Sequence, residues 1–336
     1  MDVIATDKDI TDLDVKIFLA QQRIIEWHEH WEGQVYISFS GGKDSTVLAE
    51  LVWSIYPEVP AVFSNTGLEY PEIVQFVKRK KKQGYPIVIM RPKKTFREVI
   101  LEDGFPLISK KVSEMVSRFY DPKPSNAATR HLYLTGFRRD GVFVKGSKLP
   151  ERWKKLIDAP FKVTASCCDS LKKEPFRRYR RETGRVPYNG MMSSEGGRRG
   201  AMKTCNSFDG KDPQSRPMLP WTEDDVWSYI RKFNVEYCEV YNDRYVNGIF
   251  VEGEKRTGCM FCAYGAHLEK GENRFQRMAI THPKLWNYCI NKLGMDEALD
   301  FIGVKYMPNN DSQLSLPIDI NHKGDPINKV CKEEQP

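Results

Sequence analysis

Apolar residues in the N-terminal third of the chain follow two different periods. Leu13, Ile17, Ala20, Ile24 and Trp27 recur close to every 3.6 residues and predict a helix over 11–32. The short apolar run starting at Val35 predicts a strand over 35–39. A turn at Gly41-Gly42 follows, and then a helix over 44–55. Ala61-Val62-Phe63-Ser64 reads as a buried strand, Pro71 opens a helix at its first turn, and Ile87–Met90 is a third strand. Strands alternating with helices predict an α/β fold with a doubly wound, mainly parallel sheet. Ligands in such sheets sit beyond the carboxyl ends of the strands, where both the glycine turn and Ser64-Asn65-Thr66-Gly67 fall.

From about 105 to 160 the alternation stops. This stretch is polar, basic and helix-prone, and reads as an inserted helical subdomain able to cover a site or meet a partner. Val186 to Met192 restores the sheet. Thr222 is an N-cap, with Asp225 completing a capping box, for a helix over 223–233. A cysteine-bearing loop and two short helices come next. The chain thus divides into an N-terminal helix (1–32), a core (33–307) and a loosely held tail (308–336). Within the core lie the insertion (105–160) and a cysteine-bearing C-terminal part (236–307). No internal repeat is present.

Composition adds limits. The 336 residues are 40% hydrophobic and 29% charged, as in a soluble enzyme. No run of 18 apolar residues offers a membrane span, and the start of the chain has no basic stretch followed by an apolar core. The expectation is a cytoplasmic protein with no membrane partner. Lysine and arginine (52) exceed aspartate and glutamate (45) by 7, which suits an anionic partner without requiring one. Eight cysteines without an export signal point to metal or redox use rather than a disulfide frame.

The segment Ser38-Phe39-Ser40-Gly41-Gly42-Lys43-Asp44-Ser45-Thr46 carries the chemistry. Its glycines let the backbone approach a ligand, its amides and helix start face an anion, and Ser40, Ser45 and Thr46 add hydroxyls. It is a phosphate cradle, though not the GxxxxGK[ST] loop. It resembles the SGGxDS loop of the ATP pyrophosphatases, the PP-loop family, which grip the pyrophosphate of ATP and cut between its α and β phosphates.

Cys167-Cys168 and the pair Cys259 and Cys262 supply four thiols from two segments. Alone, a C-x2-C fits zinc, a redox pair or buried thiols. Four thiolates suit Zn²⁺ or an iron–sulfur cluster, and an adjacent pair suits a cubane better than tetrahedral zinc. The segment Cys167–Pro175 resembles the CC-x2-L-K-x2-P stretch of the assimilatory adenylyl-sulfate reductases, where the doublet and a later C-x2-C hold a [4Fe–4S] cluster. That resemblance implies four cluster ligands here and places Lys172 between cluster and nucleotide phosphates. Cys205, Cys238, Cys289 and Cys331 have no spacing signal.

Three more segments resemble the adenylyl-sulfate and phosphoadenylyl-sulfate reductases. Phe63–Glu72 is similar to F-x-[DN]-T-G-x2-[FY]-P-E and would put Asn65, Thr66 and Gly67 beside the adenosine. Gly190–Arg199 resembles G-x-R-x2-E-S-x2-R, whose arginines bind the anionic end of the substrate. Arg198 and Arg199 inherit that role, with Gly190 at the nucleotide, while Met192 stands where an arginine is usual. Pro217–Ile230 resembles P-x3-W-[ST]-x2-D-V-W-x-Y-I, with Trp221 and Trp227 packing the helix. The basic run Lys78–Lys82 admits two readings, a solvated helix face or a nucleic-acid contact. Arg177–Arg181 could line the route of a polyanion.

Two reactions follow from the resemblance. Sulfonucleotide reductases use a cysteine in a C-terminal E-C-G-L-H motif, which this sequence lacks; its last cysteine is Cys331. The glycine loop then favours α–β cleavage of ATP, with Lys43 and Mg²⁺ offsetting charge on the leaving pyrophosphate and Asp44 either organising the metal or the pyrophosphate or capping the helix. The nearest analogy is the PP-loop component of DNA phosphorothioation. It implies a nucleic-acid acceptor (a DNA phosphate or a tRNA base) and a cysteine desulfurase as sulfur donor. The alternatives are sulfonucleotide reduction and a regulator that binds an adenine nucleotide without turnover.

Overall fold

The computed structural model describes residues 12–197, 199–210 and 212–309. Helix α1 (Leu13–His30) buries Ala20, Ile24 and Trp27, the stripe its periodicity predicts. Three βα units follow: β1 (Val35–Phe39), α2 (Lys43–Trp53), β2 (Ala61–Ser64), α3 (Pro71–Lys82), β3 (Ile87–Met90) and α4 (Phe96–Asp103). Next come β4 (Leu107–Ile108), α5 (Lys110–Ser117), α6 (Ala127–Thr135), α7 (Glu174–Thr183) and β5 (Val186–Asn189). The short strands β6 (Asn206–Ser207) and β7 (Gln214–Ser215) precede α8 (Glu223–Phe233). The chain ends in β8 (Arg244–Val246), β9 (Ile249–Val251), β10 (Ala263–Tyr264), α9 (Arg274–Thr281), α10 (Pro283–Asn287) and α11 (Met295–Ile302).

The main sheet has the order β3-β2-β1-β5-β7-β6 and is parallel except for β6. Ile37 pairs with Ala61 on one side of β1, and Ser38 pairs with Asn189 on the other. Alternation along β1 covers both faces. Val35, Ile37 and Phe39 enter the large core shared with α1, α2 and α3. Tyr36 points the opposite way, to Tyr179 of α7, with ring centroids 5.2 Å apart. Full burial of Phe39 and Phe63 contributes roughly 1.5–3 kcal/mol each.

Several expectations shift. Helix α2 starts at Lys43 with Gly42 as its N-cap, so Asp44 lies inside the first turn. It stops at Trp53, two residues short of the expected end, where the chain turns to place Val59 against the Trp53 indole. Strand β5 ends at Asn189 rather than reaching Met192, because Gly190 packs onto the start of α2 and Met192 is buried in the core. The stretch 105–160 does hold α5, α6 and short 3-10 turns, but it opens with β4, which pairs in parallel with β10 just after Cys262. The Thr222–Asp225 capping box forms as expected, and Asp225 also anchors Lys16 of α1 at 2.7 Å. The basic run on α3 divides. Lys78, Lys81 and Lys82 face solvent, while Lys80 is buried over the Tyr85 ring and pairs with Glu50 and Glu236. Among the described residues no helix is long and apolar enough to cross a membrane.

Candidate functional site

The carboxyl ends of β1 and β2 open into a cleft of about 510 Å³, open solvent at its mouth included. Ser38 and Ser40 line it from β1, Ser64 from β2, and Glu69, Lys172 and Thr257 from three other segments.

The glycine turn is tightly built. Gly41 sits at φ +72, and a Cβ there would come within 2.9 Å of both Ile73 and Val77 of α3, so the position suits glycine alone. The hydroxyls of Ser45 and Thr46 donate to the Gly42 carbonyl at 2.9 and 3.0 Å, and Ser40 N–H donates to Ser45 Oγ at 3.1 Å. All three hydroxyls expected to face a ligand therefore brace the turn, because Ser40 Oγ, exposed at its rim, accepts from Gly42 N–H at 3.3 Å and bonds Ser45 Oγ at 3.0 Å. Gly42 lies under a second segment. The Lys43 N–H donates to the Tyr241 hydroxyl at 3.0 Å, and that hydroxyl bonds Thr257 Oγ1 at 2.9 Å.

Lys43 does not point into the cleft. Its ammonium is buried against Tyr241 and Trp227, pairs with Glu223 at 3.0 Å and donates to the Lys255 carbonyl at 3.2 Å. Asp44 is different. Its Oδ1 is buried with no hydrogen-bond partner among the described residues, and Lys43 Nζ stands 3.7 Å away. Burial raises the Asp44 pKa; Lys43 opposes the shift, and Glu195 and Glu223 add to it. The carboxylate thus has an ion pair with Lys43 but one oxygen that accepts no hydrogen bond.

The second loop follows β2. Glu69 accepts from Thr66 N–H and Thr66 Oγ1 at 2.9 and 2.8 Å, and Asn65 Oδ1 accepts from Gly67 N–H at 3.2 Å. Thr66 is thus buried and satisfied, whereas Gly67 is exposed. Gly190 packs on the Asp44 carbonyl. Arg199 is half-buried and pairs with Glu195, and neither lines the cleft; Arg198 lies outside the described residues, as does Cys331.

Two hydrogen bonds bring the cysteine segments to these loops. Ser64 Oγ donates to the Leu171 carbonyl at 3.2 Å, and Met260 N–H donates to the Leu68 carbonyl at 2.8 Å. Cys167 and Cys168 start a helical segment that runs through a π-turn at 169–173 into α7, a local irregularity common at functional sites. The four thiols of Cys167, Cys168, Cys259 and Cys262 feel one another. Burial first, then Cys259, Cys168 and Cys262, pushes Cys167 well above its ordinary range. Burial likewise raises Cys259 to about 12, against the pull of Lys172. Burial acts to lower the Lys172 pKa but is outweighed by Cys259, Glu69 and Cys168, and Lys172 hydrogen-bonds the Cys259 sulfur. Among the described residues no three His, Cys, Asp or Glu side chains close on one point as a single metal ion needs. Zinc would draw its sulfurs to within about 4 Å of each other, given a Zn–S bond near 2.3 Å. A cubane binds each thiolate at a different iron and accepts a wider set, so the donor chemistry fits a cluster better than an ion. Cys238 and Cys289 are buried thiols elsewhere in the core.

Glu69, Tyr241 and Thr257 were not foreseen from sequence as site residues. Glu69 did stand inside a quoted motif, but nothing local marks Tyr241 or Thr257.

A family model described as the phosphoadenosine phosphosulfate reductase domain matches residues 34–155 and 145–263. An uncharacterised protein of Methanocaldococcus jannaschii is 24% identical over 302 residues, covering 88% of this chain but 57% of its own length. The chain thus spans little more than half of that relative. Adenosine 5'-phosphosulfate reductase 1 of Bacillus subtilis is 26% identical over 77% of this chain and 87% of its own. Among solved structures, phosphoadenylyl-sulfate reductase from Candida auris aligns with a TM-score of 0.39 at 16% identity, over 68% of this chain and 88% of that one. The U34-tRNA thiolase NcsA of Methanococcus maripaludis, solved with its [4Fe-4S] cluster, aligns with a TM-score of 0.36 at 14% identity, over 85% and 80%.

Proposed function

The chain belongs to the phosphoadenosine phosphosulfate reductase domain family, and on that footing we propose that it is an ATP pyrophosphatase that adenylates a nucleic-acid acceptor for sulfur transfer. The observation that carries this reading is the Asp44 carboxylate oxygen at the start of α2 beside the glycine turn, buried and accepting no hydrogen bond, with the Lys43 ammonium 3.7 Å away. Magnesium binds through one or two carboxylates plus substrate phosphates, and Asp44 offers the first of these ligands. Ser40 and the amides of the turn would hold the pyrophosphate, with Asn65, Thr66, Gly67 and Gly190 around the adenosine. Arg198 and Arg199 are proposed anion contacts at its edge. Lys172, between Cys259 and the cleft, would stabilise charge growing on the α-phosphate. Lys43 would join the pyrophosphate only on leaving Glu223.

In the proposed step, an acceptor oxygen bonds to the α-phosphorus as the bond to the bridging oxygen breaks and pyrophosphate departs. Sulfur at the sulfide level then displaces AMP. A cysteine desulfurase with a thiol reductant is the proposed source, and a DNA backbone phosphate (or a tRNA base) the proposed acceptor. Cys167, Cys168, Cys259 and Cys262 would hold a [4Fe–4S] cluster, which when bound supplies a redox-capable, sulfur-binding centre beside the nucleotide. The test is pyrophosphate release from ATP by anaerobically purified protein, with and without DNA or tRNA. Tight ATP binding with no release in any mixture would point to a regulator instead.

The named relative in Bacillus subtilis favours a second reading, reduction of adenylyl sulfate. It requires sulfite from adenylyl sulfate and thioredoxin, abolished by Cys331→Ser.

A further inference from the structure

We propose that the hairpin following α6 is a binding surface for single-stranded nucleic acid, an inference that rests on the nucleic-acid acceptor proposed above and supplies its docking site. Phe137 and Phe143 face each other across an antiparallel bridge, with ring centroids 5.1 Å apart. Both remain about half exposed, at 46% and 51%, with Val142 beside them at 51%. The support beneath them is firm. Val144 N–H donates to the Gly136 carbonyl at 2.7 Å and Arg138 N–H to the Val142 carbonyl at 2.9 Å. The Phe143 ring lies so close over Gly136 that a Cβ there would come within 2.4 Å of it. The rings are therefore displayed in a fixed arrangement rather than on a slack loop.

Charge identifies the partner. Residues 123–155 hold nine lysines and arginines against two acidic residues. Arg139, Lys145 and Lys148 are exposed and make no ion pair among the described residues. Two aromatic faces within a field of unpaired cations match unstacked bases on a phosphate chain. A second copy of this chain would bring the same positive field against itself, which disfavours self-association. The surface also leads to the cysteine doublet: the Lys111 ammonium lies beside Gly146, and neighbouring Lys110 pairs at 2.9 Å with Asp169, the residue after Cys168.

The experiment uses the full chain, purified without oxygen, and fluorescein-labelled 20-mer oligothymidylate and oligouridylate, read by anisotropy against salt. The unaltered chain should bind both single strands more tightly than a duplex of the same length. Phe137→Ala/Phe143→Ala should weaken single-strand binding about 10-fold or more, the loss expected for one or two stacked bases. Arg139→Gln/Lys148→Gln should weaken it and flatten the salt dependence by about 0.7 per lost phosphate contact. ATP affinity, measured on the same samples, should stay unchanged in both variants, which shows that they are folded. Single-strand affinity unchanged by the phenylalanine pair, no binding by the unaltered chain, or a variant whose sole effect is on self-association would each overturn the proposal. Pyrophosphate release that fails while oligonucleotide binding persists would sink the reaction proposed above and leave this surface standing.

Discussion

Asp44 combines a buried oxygen that accepts no hydrogen bond, an ion pair with Lys43 and a position at the mouth of a phosphate cradle. A carboxylic acid whose pKa is raised on folding weakens the folded state as pH rises from its ordinary 3.8 through the raised value, because ionisation then costs desolvation. Below the ordinary value that penalty is absent. Asp44→Asn should therefore leave the nucleotide-free protein at least as thermally stable at neutral pH, while magnesium-dependent ATP affinity falls about 10-fold or more; thermal melts and calorimetric titration check the two halves. In the unaltered protein, magnesium-dependent ATP affinity should grow with pH on the acid side at higher pH than a free aspartate would give. Lys172 makes a second residue-scale prediction. Lys172→Met should cut pyrophosphate release on the order of 100-fold with little change in the melting temperature, since its ammonium faces the cleft and the thiols rather than the apolar core.

At the scale of elements, the segment from Tyr241 to Gly258 lies over the glycine turn. Tyr241 occupies an amide at the start of α2 that a phosphate would use. Tyr241→Phe should tighten ATP binding by a factor between about 2 and 10, the worth of one neutral hydrogen bond; weaker binding would show that the hydroxyl aids the nucleotide instead. Gly41→Ala should cost about 1–2 kcal/mol from the left-handed backbone alone, more from contact with Ile73 and Val77, and a lowered melting temperature would report it. The contrast between these two elements explains what could be seen in the sequence. The glycine turn, its flanking strand and helix, and the capping box at Thr222 are local, and period and residue type disclosed them. Tyr241 reaches the turn across some two hundred positions, and β4 meets β10 through two residue pairs; neither contact leaves a local pattern. Lys43 shows the reverse failure. The loop motif implied its role, but the fold turns its side chain toward Glu223.

For the molecule as a whole, the site exists only because distant parts converge. The cysteine doublet enters through Leu171 on β2, and the later pair through Met260 on the loop after it. Motif resemblance set these four cysteines together as cluster ligands, while spacing alone left zinc, redox and buried-thiol readings open. Protein purified without oxygen should be brown, with about four iron and four sulfide per chain, and Cys259→Ser should lose most of both. Stoichiometric zinc with no colour would contradict the cluster. The most direct test of the central claim is the fate of ATP labelled on its α-phosphate, mixed anaerobically with the protein, magnesium and single-stranded DNA or tRNA, with products separated by chromatography. The proposal predicts label in AMP or on the nucleic acid, with pyrophosphate released in equal amount. Label in ADP, or intact ATP alongside sulfite formation from adenylyl sulfate, would contradict it.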